Sequence, residues 1–367
     1  MKHVWLRFIG VLLLGIEFSF SGCKKEVEKI VVKEVDKVYS WTDTPQLYGL
    51  SRVVLGMGQD ANALYLHTPN YLGTLTPQGH RRAYYLNSAT WLPTDINVRI
   101  PIGADFFAYP ANDTTVGLTR PNEPVTNYYQ TAINLRQLDR QAASVIQRTS
   151  PQRPFAAISR NNFLLFGYRA KNSEELRFVL SKVSLKFGQQ LQAESKIITI
   201  PRQGFARPNI RWVVAIDDYF LVNCEDNGLY KIREDGTAKR VFGYSVTDAC
   251  YKWQSVVYAV EQYNSILAST DNGETWQRFT GTPDAFNFTN YHVIGDSLVA
   301  VRSGFGGALL YTLRWSGMNF KLRYLKNDGL GQATISGMKQ LGDTVYVGTT
   351  SGLFKRPVKQ FFETKDK

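Results

Sequence analysis

Residues 217–236 read DDYFLVNCEDNGLYKIREDG, and residues 343–356 read DTVYVGTTSGLFKR. Each begins with polar residues, runs through β-branched and aromatic side chains, turns at a glycine and runs out again. That is the pattern of an antiparallel hairpin. A looser copy is ADFFAYPANDTTVGLTR at 104–120, and related strand starts occur at Asn62, Asn161, Gln254 and Asp296. From Asn62 to Asp343 the starts recur about every 47 residues, within the roughly 40–50 of a four-stranded propeller blade. No run of helical periodicity long enough for βαβ units separates them. The expected fold is therefore all-β: a single β-propeller of about seven four-stranded blades over residues 46–362, with a charged tail at 363–367. One blade cannot bury both of its faces, so blades must stack around an axis. Tyr219, Leu221, Val345 and Val347 are expected between neighbours. The stretch 132–147 stays open, because Leu135, Leu138, Ala142 and Val145 suit either a short inserted helix or an outer strand and loop.

Composition agrees with that architecture. The chain has 367 residues, 44% of them hydrophobic and 13% aromatic, so it can build a sizeable core and is not disordered throughout. Three cysteines are too few for a disulfide scaffold or a multi-cysteine zinc module. The formal net charge is +12, which favours an anionic partner.

The N-terminus carries an address. Lys2 and Arg7 form a positive start, and Phe8–Ile16 is a short apolar run. It is too short to span a bilayer, which takes about 20 apolar residues. Ser21-Gly22-Cys23 follows. This segment resembles a bacterial lipoprotein signal, which implies cleavage of residues 1–22 and lipidation of Cys23; Phe20, where leucine is usual, and Glu17 depart from the pattern. Residues 24–40, KKEVEKIVVKEVDKVYS, contain a near-repeat offset by eight and no turn residue. Residues 23–45 read as a charged stalk, with a partner-binding helix through Val27, Val31, Val35 and Val38 as the other reading. Lys24-Lys25-Glu26 resembles the export signals of Bacteroidetes-type lipoproteins. The resemblance implies an outer-membrane anchor, facing the periplasm or the outside.

The octapeptide Ser269-Thr270-Asp271-Asn272-Gly273-Glu274-Thr275-Trp276 resembles the Asp-box of bacterial-neuraminidase-type repeats, S-x-D-x-G-x-T-W. Asp271 can accept backbone N–H groups in a turn, Gly273 can supply a positive φ, and Trp276 can bury between blades. Ser269 and Thr275 complete the motif. The resemblance implies a structural box on a propeller rim rather than an active site. The NGLYK (227–231) and SGLFK (351–355) turns look like blade repeats of propeller sensor ectodomains.

Catalytic patterns are sparse. There is no H-E-x-x-H, G-x-S-x-G, phosphate-binding loop or C-x-x-C. His67, His80 and His292 lack metal-ligand spacing, so neither a metal nor a cofactor is expected. Cys224 and Cys250 could form a disulfide in an exported chain or be two buried thiols. Arg99, Arg153 and Arg207 recur every 54 residues, each followed by a proline one or two positions on. In a common blade register they would present guanidinium groups to a carboxylate or phosphate. Arg99-Ile100-Pro101 resembles the R-I-P motif of sialidases, which implies a clamp on an acidic sugar. No nucleophile or acid can be assigned by motif.

The reading these features support is a cell-envelope lipoprotein whose propeller binds a ligand or protein, an acidic glycan or an envelope protein. A sialidase-like glycoside hydrolase is the alternative, and a structural subunit of a surface uptake or secretion complex is a third. Nucleic acid is not an expected partner, since the chain is exported and carries no such motif.

Overall fold

A computed structural model describes residues 41–44, 52–69, 71–79, 81–85, 99–120, 131–147, 154–171, 173–186, 190–201, 209–244, 250–261, 265–279, 290–304, 307–316, 319–331 and 333–365. They form a seven-bladed β-propeller. The first strand among the described residues is β1 (Thr42–Asp43). The first blade is β2 (Gly56–Gln59), β3 (Leu64–His67), β4 (Tyr71–Leu75) and β5 (Arg81–Tyr85). The second is β6 (Phe107–Asn112), β7 (Thr115–Thr119) and β8 (Thr131–Asn134). Its innermost element is reduced to residues 99–102, joined by the bridge Ile102–Phe107.

Helix α1 (Leu135–Leu138) and β9 (Ala142–Val145) lead to the third blade: β10 (Ala156–Ile158), β11 (Phe163–Ala170), β12 (Leu176–Lys186) and β13 (Gln190–Ile200). Both readings of 132–147 are thus partly realised, as one helical turn between two strands. The Asn134 side chain accepts from Arg136 N–H and caps that turn.

The fourth blade is β14 (Asn209–Ile216), β15 (Tyr219–Glu225), β16 (Gly228–Arg233) and β17 (Ala238–Phe242). The fifth is β18 (Cys250–Trp253), β19 (Val256–Glu261), β20 (Ser265–Ser269) and β21 (Gln277–Phe279). The sixth is β22 (Asn290–Ile294), β23 (Ser297–Gly304), β24 (Gly307–Ser316) and β25 (Asn319–Tyr324). The seventh is β26 (Ile335–Leu341), β27 (Thr344–Thr349) and β28 (Gly352–Pro357), completed by β1 as its outer strand. Helix α2 (Val358–Phe361) follows. All seven polar starts read from the sequence are the turns between a blade's first and second strands.

The ring closes by pairing Thr42 with Lys355 and Asp43 with Phe354. Residues 41–44, ahead of residue 46, are therefore part of the propeller. Trp41 is buried edge-on against Phe361, and Thr364 bridges to Leu325. Both ends expected to be linker or tail are tied into the fold by these contacts, which no local pattern announces.

Between blades, alternation of side chains decides everything. Phe220, Val222 and Cys224 of β15 pack with Leu165, Phe178 and Ile198 of the third blade. Tyr219 and Leu221 pack with Val257, Ala259 and Cys250 of the fifth. Val345 and Val347 meet Val299 and Leu310 of the sixth blade. Cys224 and Cys250 are consequently buried thiols that belong to different interfaces, not a disulfide.

Near the axis the blades approach closely. A Cβ at Gly58 would lie 2.4 Å from Ile102 Cγ2 and 2.8 Å from the Ile102 carbonyl oxygen. Only glycine permits the first and second blades to meet there.

Candidate functional site

The first strands of the sheets neighbour one another around the axis: β26 meets β2, β10 meets β14, β14 meets β18 and β22 meets β26. Residues 99–102 take the same place in the second blade, where Arg99 bridges in parallel to Pro154 and its carbonyl accepts Phe155 N–H at 3.0 Å. These seven innermost segments carry Arg99, Arg211, Lys252, His292 and Lys339, and no aspartate or glutamate.

Two of the cations are neutralised. Arg211 Nη2 lies 2.6 Å from Glu225 Oε1, and Lys252 pairs with Asp217. Arg99 and Lys339 have no carboxylate partner among the described residues. They sit on the second and seventh blades, flanking the first. Burial alone pushes both below their ordinary pKa values, because a low-dielectric surrounding disfavours the charged form. Arg99 Nη1 is buried without a hydrogen-bond partner. His67, fully buried at the end of β3, leaves both ring nitrogens unsatisfied. Burial, and secondly the nearby Arg99 charge, bring its pKa down to about 3, so it is neutral at pH 7. A buried polar group without a partner costs on the order of 1–3 kcal/mol. The wall beside the first blade therefore holds positive charge that the protein itself does not compensate.

Of the three arginines read as an anion clamp, Arg99 lies on this wall; Arg153 and Arg207 lie outside the described residues, as do Cys23 and His80. Sequence reasoning missed Lys339, and named His67 only as lacking metal-ligand spacing, not as a buried group. The signal for Lys339 was present, since it follows the first-strand pattern of the seventh blade. Nothing local marks His67, whose character comes from burial beside Arg99.

The stretch 269–276 forms a closed turn between β20 and β21. Asp271 Oδ1 accepts Ser269 Oγ at 2.7 Å and the N–H groups of Glu274 and Thr275 at 3.1 and 2.9 Å; Oδ2 accepts Thr275 Oγ1 at 2.6 Å. Ser269 Oγ also accepts Gly273 N–H at 2.7 Å. These bonds, led by Thr275, hold the Asp271 carboxyl well below the usual range. Gly273 has φ +82°, and Trp276 packs against the core between the fourth and fifth blades. Glu274, the variable position of the motif, gathers Lys231, Arg233 and Lys239 at 2.8, 2.6 and 3.0 Å. Lys231 comes first among the causes that bring the Glu274 carboxyl down to about 2. Through Glu274 the turn of the fifth blade is clasped to β16 and β17 of the fourth.

Among the described residues no group of three His, Cys, Asp or Glu side chains is placed to hold a metal, and no helix is long and apolar enough to cross a membrane.

Solved structures share the fold at low sequence identity. The virginiamycin B lyase of Staphylococcus aureus is 14% identical with a TM-score of 0.55, over 87% of this chain and 98% of that one. A chain of a mitotic checkpoint complex is 10% identical with a TM-score of 0.53, over 89% and 95%. A computationally designed protein, Ika8, is 10% identical with a TM-score of 0.50, over 84% and 97%. At these identities the likeness is one of fold. No family model and no curated protein sequence matches the chain.

Proposed function

We propose that this chain is a lipid-anchored envelope protein whose propeller binds an anionic partner, an acidic polysaccharide, through its axial wall. The observation that carries the reading is the set of innermost strands bearing four cations and a histidine without one carboxylate, two of the cations uncompensated. A bound carboxylate would satisfy the idle Arg99 guanidinium and relieve its burial cost. Most glycoside hydrolysis needs a carboxyl pair across the scissile bond, which these strands do not supply, so binding is the better-supported use of the wall.

The test is binding of the full-length protein to polygalacturonate, with a neutral polysaccharide as control. Affinity is expected to fall steeply with salt and to drop about tenfold or more in the Arg99→Gln, Lys339→Gln double variant, as befits lost charge-assisted contacts. Equal binding of the neutral polymer, or an unaffected double variant that still folds, overturns the proposal. The anchor has a separate test. Cys23→Ala is expected to move the protein from the membrane to the soluble fraction, and unchanged retention argues against lipidation.

A further inference from the structure

A cavity of about 560 Å³ is lined by the sixth blade, by Trp253 and Gln254 at the end of β18 and by Phe362, and includes neither Arg99 nor Lys339. It falls within the roughly 300–1,000 Å³ of small-ligand sites. Its wall includes Arg314 of β24 and Arg323 of β25. In the ladder Arg323 stands opposite Thr312, and Arg314 stands opposite Lys321. Arg314 is two residues from Thr312, and Lys321 two from Arg323, so all three cations leave one face of the sheet. Like charges directly across a ladder destabilise it. None of the three has a carboxylate partner among the described residues, so the cluster awaits a counter-charge.

The rest of the lining narrows what that counter-charge belongs to. Trp253 supplies a flat aromatic face, held by its Nε1–H donating to the Asp296 carbonyl at 3.2 Å. Phe362, 37% exposed, supplies a second. Asp296 itself and Gln254 add side-chain acceptors. A polyphosphate would be repelled by Asp296, and an apolar ligand would leave both arginines unused. A ring with one carboxylate and several hydroxyls satisfies every group: guanidinium to carboxylate, acceptors to hydroxyls, aromatic faces to the ring.

We infer that this cavity is a second binding site, distinct from the axial wall, for a short acidic sugar of the uronic-acid class. Arg314 and Arg323 take the carboxylate, and Asp296 takes a hydroxyl.

The experiment is calorimetric titration of the full-length protein with a galacturonic acid trisaccharide, its neutral galactose counterpart and a short glutamate peptide. Expected is binding of the acidic sugar alone, weakened about tenfold or more in Arg314→Gln, Arg323→Gln and unchanged in Lys171→Gln, an exposed cation outside both sites. Both arginine positions lie on an outer ladder with repelling neighbours, so the double variant is expected to melt no lower than the parent. That result separates lost binding from lost fold. No binding, equal binding of the neutral sugar or the peptide, or retained affinity in the arginine double variant overturns the inference. Loss in Lys339→Gln with retention in the arginine variant assigns the sugar to the axial wall and equally overturns it.

Discussion

At Glu274 three cations converge on one carboxylate, and the pH consequence has a definite sign. Its folded pKa, about 2, lies below the ordinary 4.5. The stabilisation is complete above pH 4.5 and is lost as pH falls toward 2. Glu274→Gln is expected to show a smaller drop in melting temperature between pH 5 and 3 than the parent. His67 acts over a higher window. Between pH 6.5 and about 3 the unfolded chain takes up a proton that the buried ring refuses, so stability declines as pH falls through that range. His67→Leu is expected to flatten this part of the melting curve against pH; an unchanged slope would show that His67 titrates in the fold. Asp271→Ala removes the acceptor that closes the 269–275 turn and is expected to lower the melting temperature by a few degrees without affecting binding at either cationic site, checked by calorimetry.

The elements carry their own constraints. Strand β1 is two residues long, yet it closes the ring through Trp41, which packs against Phe361 and lies 6.0 Å from the Arg356 guanidinium. Trp41→Ala is expected to destabilise the protein by about 3–5 kcal/mol, the cost of removing a large buried aromatic, measured by denaturant unfolding. Between β2 and residues 99–102, Gly58→Ala forces a Cβ into the Ile102 backbone. About 1–3 kcal/mol is the expected loss for such overpacking. The hairpins themselves were legible: DDYFLVNCEDNGLYKIREDG became β15 and β16, and DTVYVGTTSGLFKR became β27 and β28. What escaped was β1, because a two-residue strand has no periodicity to read.

At the scale of the molecule, closure makes each blade depend on both neighbours. The described core is divided among inter-blade clusters, for example between the fourth and fifth blades and between the sixth and seventh. One unfolding transition, seen together by fluorescence and circular dichroism, is the expected behaviour of a ring; separate transitions would mean that blades unfold independently. The net charge of +12 also becomes legible at this scale. Part of it is gathered on the innermost strands and part on the β24–β25 face, in both cases beyond what nearby carboxylates neutralise.

The fold class and the blade count followed from the sequence alone, because alternation, turn residues and a repeat of about 47 residues are local quantities. The tertiary structure decided which residues meet. Cys224 and Cys250, near in sequence pattern, went to different interfaces because alternate residues of neighbouring strands face opposite ways. Arg314 and Arg323, unremarked in the sequence, came to share one face of a ladder beside a cavity. Periodicity tells each strand which side chains to bury. Only closing the ring determines which neighbour buries them, and which charges are left without one.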